Sequence, residues 1–357
     1  MSSLKLIVIE DDEGDLQACE DSAERYIHQK GRKLTLIKCP NIEEAFSHLD
    51  GSLDGAIIDL RLGRDQAAGS DIIRKIESLY LRIPIVILTG TPDEYSLNFP
   101  HLGLFKKGEV EHSEIFDILW DFQATGITRI MGGRGVIEKT LQDVFLKNIL
   151  PHKSPWIGYA RTAPIETERA MLRHVINHLL QLLDDDDDKF YPEEFLISPP
   201  LKTGVRTGSV AKKIGTEQFF VVLSPACDLI IRQNGRMKTE HLLLAEIDSL
   251  HDIIRPKLEG ITSIEKKHKA LTGIFSSHLS GNYHWIPETS ATHGGFLNFR
   301  KLMSVPIERF PEIFETPSAQ ISPHFVKDIT ARFSSYYARQ GQPEINCDDI
   351  AKKYAEN

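Results

Sequence analysis

No stretch of the 357 residues approaches the roughly 18 uninterrupted apolar residues that a membrane-crossing helix requires, which excludes a membrane span. The opening MSSLKLIVIEDD holds one apolar run that meets acids almost at once. That run is too short for a secretory signal, so the chain is expected to be cytoplasmic. Cysteine is scarce as well. Cys19, Cys39, Cys227 and Cys347 are scattered without paired spacing, which argues for reduced thiols and against a disulfide or zinc framework. Hydrophobic residues at 41% and charged residues at 26% are ordinary for a globular protein, so wholesale disorder and a fibrous fold are excluded. The length suits two or three domains.

The first third is short of positive charge. Residues 1–125 hold 13 Lys and Arg against 23 Asp and Glu, whereas the rest of the chain holds 29 against 28. The N-terminal third therefore carries −10 and the rest +1 of the net −9, and its acidic surface repels nucleic acid.

That third alternates two periodicities. KLIVI (5–9), LTLIK (34–38), GAIID (55–59), IVILT (85–89) and GLFKK (103–107) are short β-branched runs that read as buried strands. Helical spacing lies between them over residues 13–30, 42–49 and 70–79, and again over 110–122. Interleaving of this kind predicts βαβ units and a parallel sheet covered on both faces, with chemistry gathered at the carboxyl ends of the strands. At those ends stand Glu10, Asp11 and Asp12, then Asp59, Thr89 and Lys107. Carboxylates crowded together repel, and a hard divalent cation such as Mg²⁺ relieves them. An aspartate beside Mg²⁺ and a lysine can accept a phosphoryl group as an acyl phosphate.

LIVIEDDEGD, GAIIDLRLG with Gly69 after it, IVILTG and LFKKG together resemble the receiver domain of two-component response regulators over about residues 4–122. The resemblance implies a doubly wound (βα)₅ α/β fold with strand order 2-1-3-4-5. It implies Mg²⁺ bound by Glu10 and Asp11, with Asp12 a helper, together with Asp59 and the backbone carbonyl of Arg61. It makes Asp59 the phosphoacceptor, Thr89 the hydroxyl and Lys107 the phosphate-binding lysine. The implied partner is a histidine kinase or a histidine-kinase-type ATPase, in a bacterial phosphorelay. Two positions depart from the family pattern. Gly108 stands where proline usually follows the lysine, and Leu104 stands where an aromatic switch residue is usual. Only 18 positions separate Thr89 from Lys107, and Pro92 and Pro100 fall between them, so the fourth helix should be short or irregular.

Beyond residue 125 a helical connector is expected to 192 and a C-terminal α+β domain over 193–357, with a bent sheet or partial barrel. The GGRG at 132–135 reads as a linker turn, and Pro151, Pro155 and Pro164 should break helices. His174 and His178 lie four apart on a helix, but with no third ligand evident they read as a surface or interface pair. Asp184–Asp188 lacks the alternation and glycine of a calcium loop and reads as a solvated linker. FLISPPL (195–201), QFFVVLSPACDL (218–229), HLLLAEI (241–247) and GGFLNFRKL (294–302) are strand-like, with helices at about 248–260, 262–280, 323–339 and 348–354.

In this part Cys227, Asp228, His284 and Arg206 are the candidate output residues. A Cys/His pair could supply nucleophile and base, whereas one cysteine and one histidine are too few for zinc. Basic residues such as Lys202, Lys212 and Arg232 leave nucleic-acid binding open, although no recognition-helix signature accompanies them. The remainder resembles only in general pattern receiver-bearing proteins encoded beside histidine-kinase-type ATPases, some linked to defence against phage. Two alternatives to a phosphorelay regulator remain at this point: a non-phosphorylated pseudo-receiver adaptor, and a receiver-gated hydrolase or nuclease. A homodimer is a further expectation.

Overall fold

A computed structural model of the protein describes residues 3–63, 68–96, 98–183, 189–232, 235–339 and 345–355. The aspartate run 184–188, expected as a linker, lies outside the described residues. The chain divides into two compact units, Met1–Asp186 and Asp187–Asn357.

In the first unit the order is β1 (Ser3–Ile9), α1 (Glu13–Lys30), β2 (Lys33–Cys39), α2 (Ile42–His48), β3 (Gly55–Ile58), α3 (Ala68–Ser78), β4 (Ile85–Thr89), β5 (Gly103–Lys106) and α4 (His112–Ala124). The strands form one parallel sheet in the order β2-β1-β3-β4-β5, as expected. Successive strand residues point to opposite faces, and the central strands β3 and β4 are buried on both, which is why GAII and IVIL are unbroken apolar runs. Ile7, Ile9, Ile58 and Ile87 pack against Ile72, Ile73 and Ile76 of α3. Leu6, Val8, Ile57 and Val86 pack against Leu16, Cys19 and Tyr26 of α1 and Phe116 and Leu119 of α4.

Between β4 and β5 the described residues form no α-helix, only a 3₁₀ turn over Pro92–Glu94. The (βα)₅ pattern is thus short of one helix, in the place the two prolines had marked. Gly108, after β5, has φ +81°. Proline is locked near −65°, so the chain leaves β5 by a path that the family's usual proline could not follow.

Four further α-helices follow among the described residues of this unit: α5 (Ile127–Met131), α6 (Val136–Asp143), α7 (Lys153–Ala160) and α8 (Pro164–Leu180). Pro155, expected to break a helix, lies in the first turn of α7, where a missing N–H costs nothing. The four helices bury only Thr128 and Thr167, and they leave Ile130, Ile157, Tyr159 and Leu172 in solvent.

The second unit runs β6 (Leu196–Ile197), β7 (Ser209–Lys212), β8 (Phe219–Val222), β9 (His241–Asp248), α9 (Leu250–Leu258), α10 (Ile264–Ser276), β10 (Tyr283–Ile286), β11 (Gly295–Pro306), α11 (Phe310–Ile313), β12 (Ala319–Ile321), α12 (Pro323–Ala338) and α13 (Asp348–Ala355). Its seven strands make an antiparallel sheet, β10-β11-β9-β8-β7-β12-β6, curled into a half-barrel. One core joins Val221, Ala245, Leu297 and Phe299 to Ile329 of α12. FLISPPL contributes only two strand residues, because Pro199 and Pro200 have no N–H to extend a ladder. The strands β10 and β12 were not anticipated. At four and three residues they are too short for an alternation to stand out.

Candidate functional site

The parallel ladder aligns four strand ends. The Glu10 N–H donates to the Cys39 carbonyl at 3.1 Å, that of Asp59 to Ile9 at 3.0 Å, and that of Lys107 to Thr89 at 2.9 Å. Residues remote in sequence therefore emerge side by side along one edge of the sheet. Glu10 and Asp59 are each 6% exposed, and Thr89 is fully buried. One carboxylate oxygen from each of Glu10, Asp11 and Asp59 falls within 4.8 Å of the others.

Lys107 binds this group together. Its Nζ lies 2.5 Å from Glu10 Oε2, 2.7 Å from Asp59 Oδ2 and 2.9 Å from Asp15 Oδ2. Lys106 points elsewhere and pairs with Glu109 at 3.2 Å. Burial works against the Lys107 charge, but the hydrogen bonds with Asp15, Asp59 and Glu10 prevail and hold its pKa above the usual lysine range. Burial raises the Glu10 pKa, and the hydrogen bond from Lys107 only partly offsets this.

The neighbouring positions are backbone-anchored. Asp11 Oδ2 accepts from the Gly63 N–H at 2.7 Å. Asp12 caps α1, its Oδ1 accepting from the Asp15 N–H at 2.9 Å, so its side chain is committed to the helix start. The Arg61 N–H donates to Asp59 Oδ1 at 3.3 Å, which brings the Arg61 backbone to the rim. Gly69 packs directly beneath. A Cβ there would stand 2.3 Å from the Asp59 carbonyl oxygen.

Asp15 was missed by sequence reasoning. Its signal is weak, since it is one of several acids in the first turn of α1, but it sits just before the buried face that Leu16 and Cys19 define.

The donor set fits a hard divalent cation: three carboxylate oxygens, beside a hydroxyl and an ammonium that can meet phosphate oxygens. The groups open on a cleft of about 320 Å³ that also exposes Gly90 and Thr91.

The output candidates of the second unit do not converge. Cys227 is exposed, with its Sγ 3.7 Å from Asp228 Oδ1, and Asp228 is paired with Lys238 at 3.0 Å. Arg206 is exposed in its turn, its N–H donating to Ser209 Oγ at 2.9 Å. His284 lies on β10 and is 2% exposed. Its neighbours are Asp328, at 3.0 Å from Nε2, and His278, with ring centroids 4.2 Å apart. Burial lowers the His284 pKa to about 4. In the connector, the Nε2 atoms of His174 and His178 are 3.3 Å apart.

Residues 3–124 form a five-stranded parallel sheet in the order 2-1-3-4-5 with flanking helices, as in a receiver domain. Among the solved structures to which the chain is similar are three response-regulator proteins. One is the N-terminal domain of a response regulator/sensory box/GGDEF protein from Carboxydothermus hydrogenoformans, with 17% identity over 34% of this chain and 98% of that one, TM-score 0.27. The second is a response regulator receiver domain protein from Clostridium thermocellum, with 19% identity over 34% and 96%, TM-score 0.29. The third is a response regulator receiver protein from Sinorhizobium medicae, with 12% identity over 34% and 96%, TM-score 0.27. No family model matches the chain, and no curated protein matches it. Among the described residues, no helix is long and apolar enough to cross a membrane.

Proposed function

We propose that the protein is a response regulator whose Asp59 accepts a phosphoryl group from a kinase phosphohistidine, within a receiver spanning 1–125 that is followed by a connector over 126–192 and an output domain over 193–357. The observation that carries this reading is the convergence of Glu10, Asp11, Asp59 and Lys107 at the sheet edge, with Thr89 at the end of the neighbouring strand. Asp59 supplies the attacking carboxylate oxygen, the P–O bond forms as the P–N bond to the donor imidazole breaks, and the imidazole keeps the released electron pair. Lys107 exchanges its bond to Asp59 for one to a phosphoryl oxygen, and the Thr89 hydroxyl donates to another. A Mg²⁺ ion would be held by Glu10, Asp11, Asp59 and the Arg61 carbonyl, and would neutralise charge on the transferred group.

The departure of Lys107 from the carboxylates, together with the movement of Thr89, is the switch. The connector helices, whose apolar side chains face solvent, are the surface on which its state is read. A small-molecule phosphodonor with Mg²⁺ should label the wild-type chain to about one phosphate, and Asp59→Asn should lower labelling at least a hundredfold. Equal labelling of the two would remove Asp59 from the mechanism.

A further inference from the structure

We propose that His278, His284 and Asp328 form a binding site for a divalent metal ion of the zinc class in the second unit, with its open coordination position facing an aromatic cleft. The three side chains come from three parts of the fold: His278 follows α10 and His284 lies on the next strand, β10, whereas Asp328 comes from α12, 44 residues beyond His284. One ligand atom from each lies within 4.8 Å of the others.

The hydrogen bonding of His284 carries the inference. Its Nδ1 is 2.8 Å from the carbonyl oxygen of Trp285, which can only accept, so Nδ1 holds the proton. In the neutral ring Nε2 then points a lone pair at Asp328 Oδ2, 3.0 Å away. Two lone pairs at that distance need a cation between them, either a second proton or a metal ion. A second proton would leave either an imidazolium on a ring that is 2% exposed or a neutral acid on a carboxyl that is 53% exposed to water.

A metal ion satisfies both atoms. Donors about 2.0–2.1 Å from a tetrahedral ion lie about 3.3 Å apart, close to the separation observed. An Nδ1–H donated to a backbone carbonyl is also the bond that orients metal-ligating histidines. His278 sits beside this pair at a residue with φ +54°, its Nδ1 accepting from the Trp285 N–H at 3.1 Å. Loading requires that ring to exchange this bond for coordination. Burial opposes positive charge at His278, Arg332, one turn after Asp328 on α12, adds to that, and the Asp328 carboxylate offsets it only in part.

Two histidines and one carboxylate leave a tetrahedral ion one position for water or substrate. The three residues line a cleft of about 540 Å³ whose other walls include Tyr191, Phe195, Phe275, Trp285 and Phe325. Such walls suit an uncharged or aromatic group held against the open position. The assignment stands independently of the reading of Asp59.

Cobalt(II) is the probe. The full chain is stripped with chelator and titrated with Co²⁺ in excess Mg²⁺, which occupies the all-carboxylate site. The expected result is one Co²⁺ with intense visible bands of a tetrahedral site. Asp328→Ala, at a carboxylate whose side chain is 53% exposed, and His278→Gln should keep the far-ultraviolet dichroism and weaken Co²⁺ binding at least tenfold. Asp11→Ala and His174→Gln should leave the bands unchanged. The proposal is overturned by a wild-type chain without such bands, by bands that survive both Asp328→Ala and His278→Gln, or by bands that vanish in His174→Gln.

Discussion

Replacing Lys107 with alanine is expected to cut phosphorylation of Asp59 by at least a hundredfold while leaving the chain folded in Mg²⁺. The ammonium meets three carboxylates within 2.9 Å, two of them on residues that are 6% exposed. Removing it has two separable consequences. One is catalytic: the transferred phosphoryl oxygens lose a preorganised positive donor, and loss of one such donor commonly costs about 10²–10³ in rate. The other is structural. Glu10 and Asp59 are left buried and mutually repelling, and stranding partners of a buried pair costs about 3 kcal/mol. Mg²⁺ can answer the second consequence but not the first. Denaturation midpoints with and without Mg²⁺, measured beside labelling, separate the two. Stability should fall in chelator and largely return with the ion, whereas labelling should stay low. Wild-type labelling in Lys107→Ala would show that Lys107 is only a structural counter-ion.

Gly69→Ala should destabilise the first unit by about 3 kcal/mol, at the upper end of what overpacking a tight contact usually costs. A Cβ at this position would meet the Asp59 carbonyl oxygen at 2.3 Å and Leu60 Cα at 2.6 Å, both backbone atoms that cannot rotate away. Relief requires the start of α3 and the Asp59–Leu60 backbone at the end of β3 to separate, which displaces Asp59. The variant should therefore lose labelling as well as stability. Gly90→Ala is the control, since a Cβ there meets nothing within 4 Å although Gly90 borders the same cleft. Similar denaturation midpoints for the two variants would remove the close-approach argument.

Legibility in the sequence followed burial. The strands β3 and β4 and the second half of β1, residues 6–9, are covered on both faces, so each is a continuous apolar run, and the first polar residue that follows the run marks the strand end. That is why Glu10, Asp59 and Thr89 are legible in the sequence as neighbours. The strand order 2-1-3-4-5 came from the family resemblance, and it is the order observed. Asp15 was not readable, because nothing local distinguishes it from the other acids of its helical turn.

The second unit was legible only in part. Its longer strands and its helices α9, α10 and α12 show in the pattern, but β6, β10 and β12 hold two to four residues each. The triad of His278, His284 and Asp328 has no spacing signature, since its third member is 44 residues from His284. A count of one candidate cysteine and one histidine had argued against zinc there. His278 stands only six residues before His284, but the carboxylate of Asp328 is brought to them by tertiary structure, which no local spacing encodes.

The central claim is that loops far apart in the chain share one ion beside Asp59. Isothermal titration with Mg²⁺ of the wild-type chain and of Asp11→Ala tests it most directly, because Asp11 is exposed and its loss should leave the core of the sheet intact. One bound Mg²⁺ in the wild type, with affinity at least tenfold weaker in Asp11→Ala, is the predicted result. Equal affinity in the two chains, or no binding in the wild type, would contradict it.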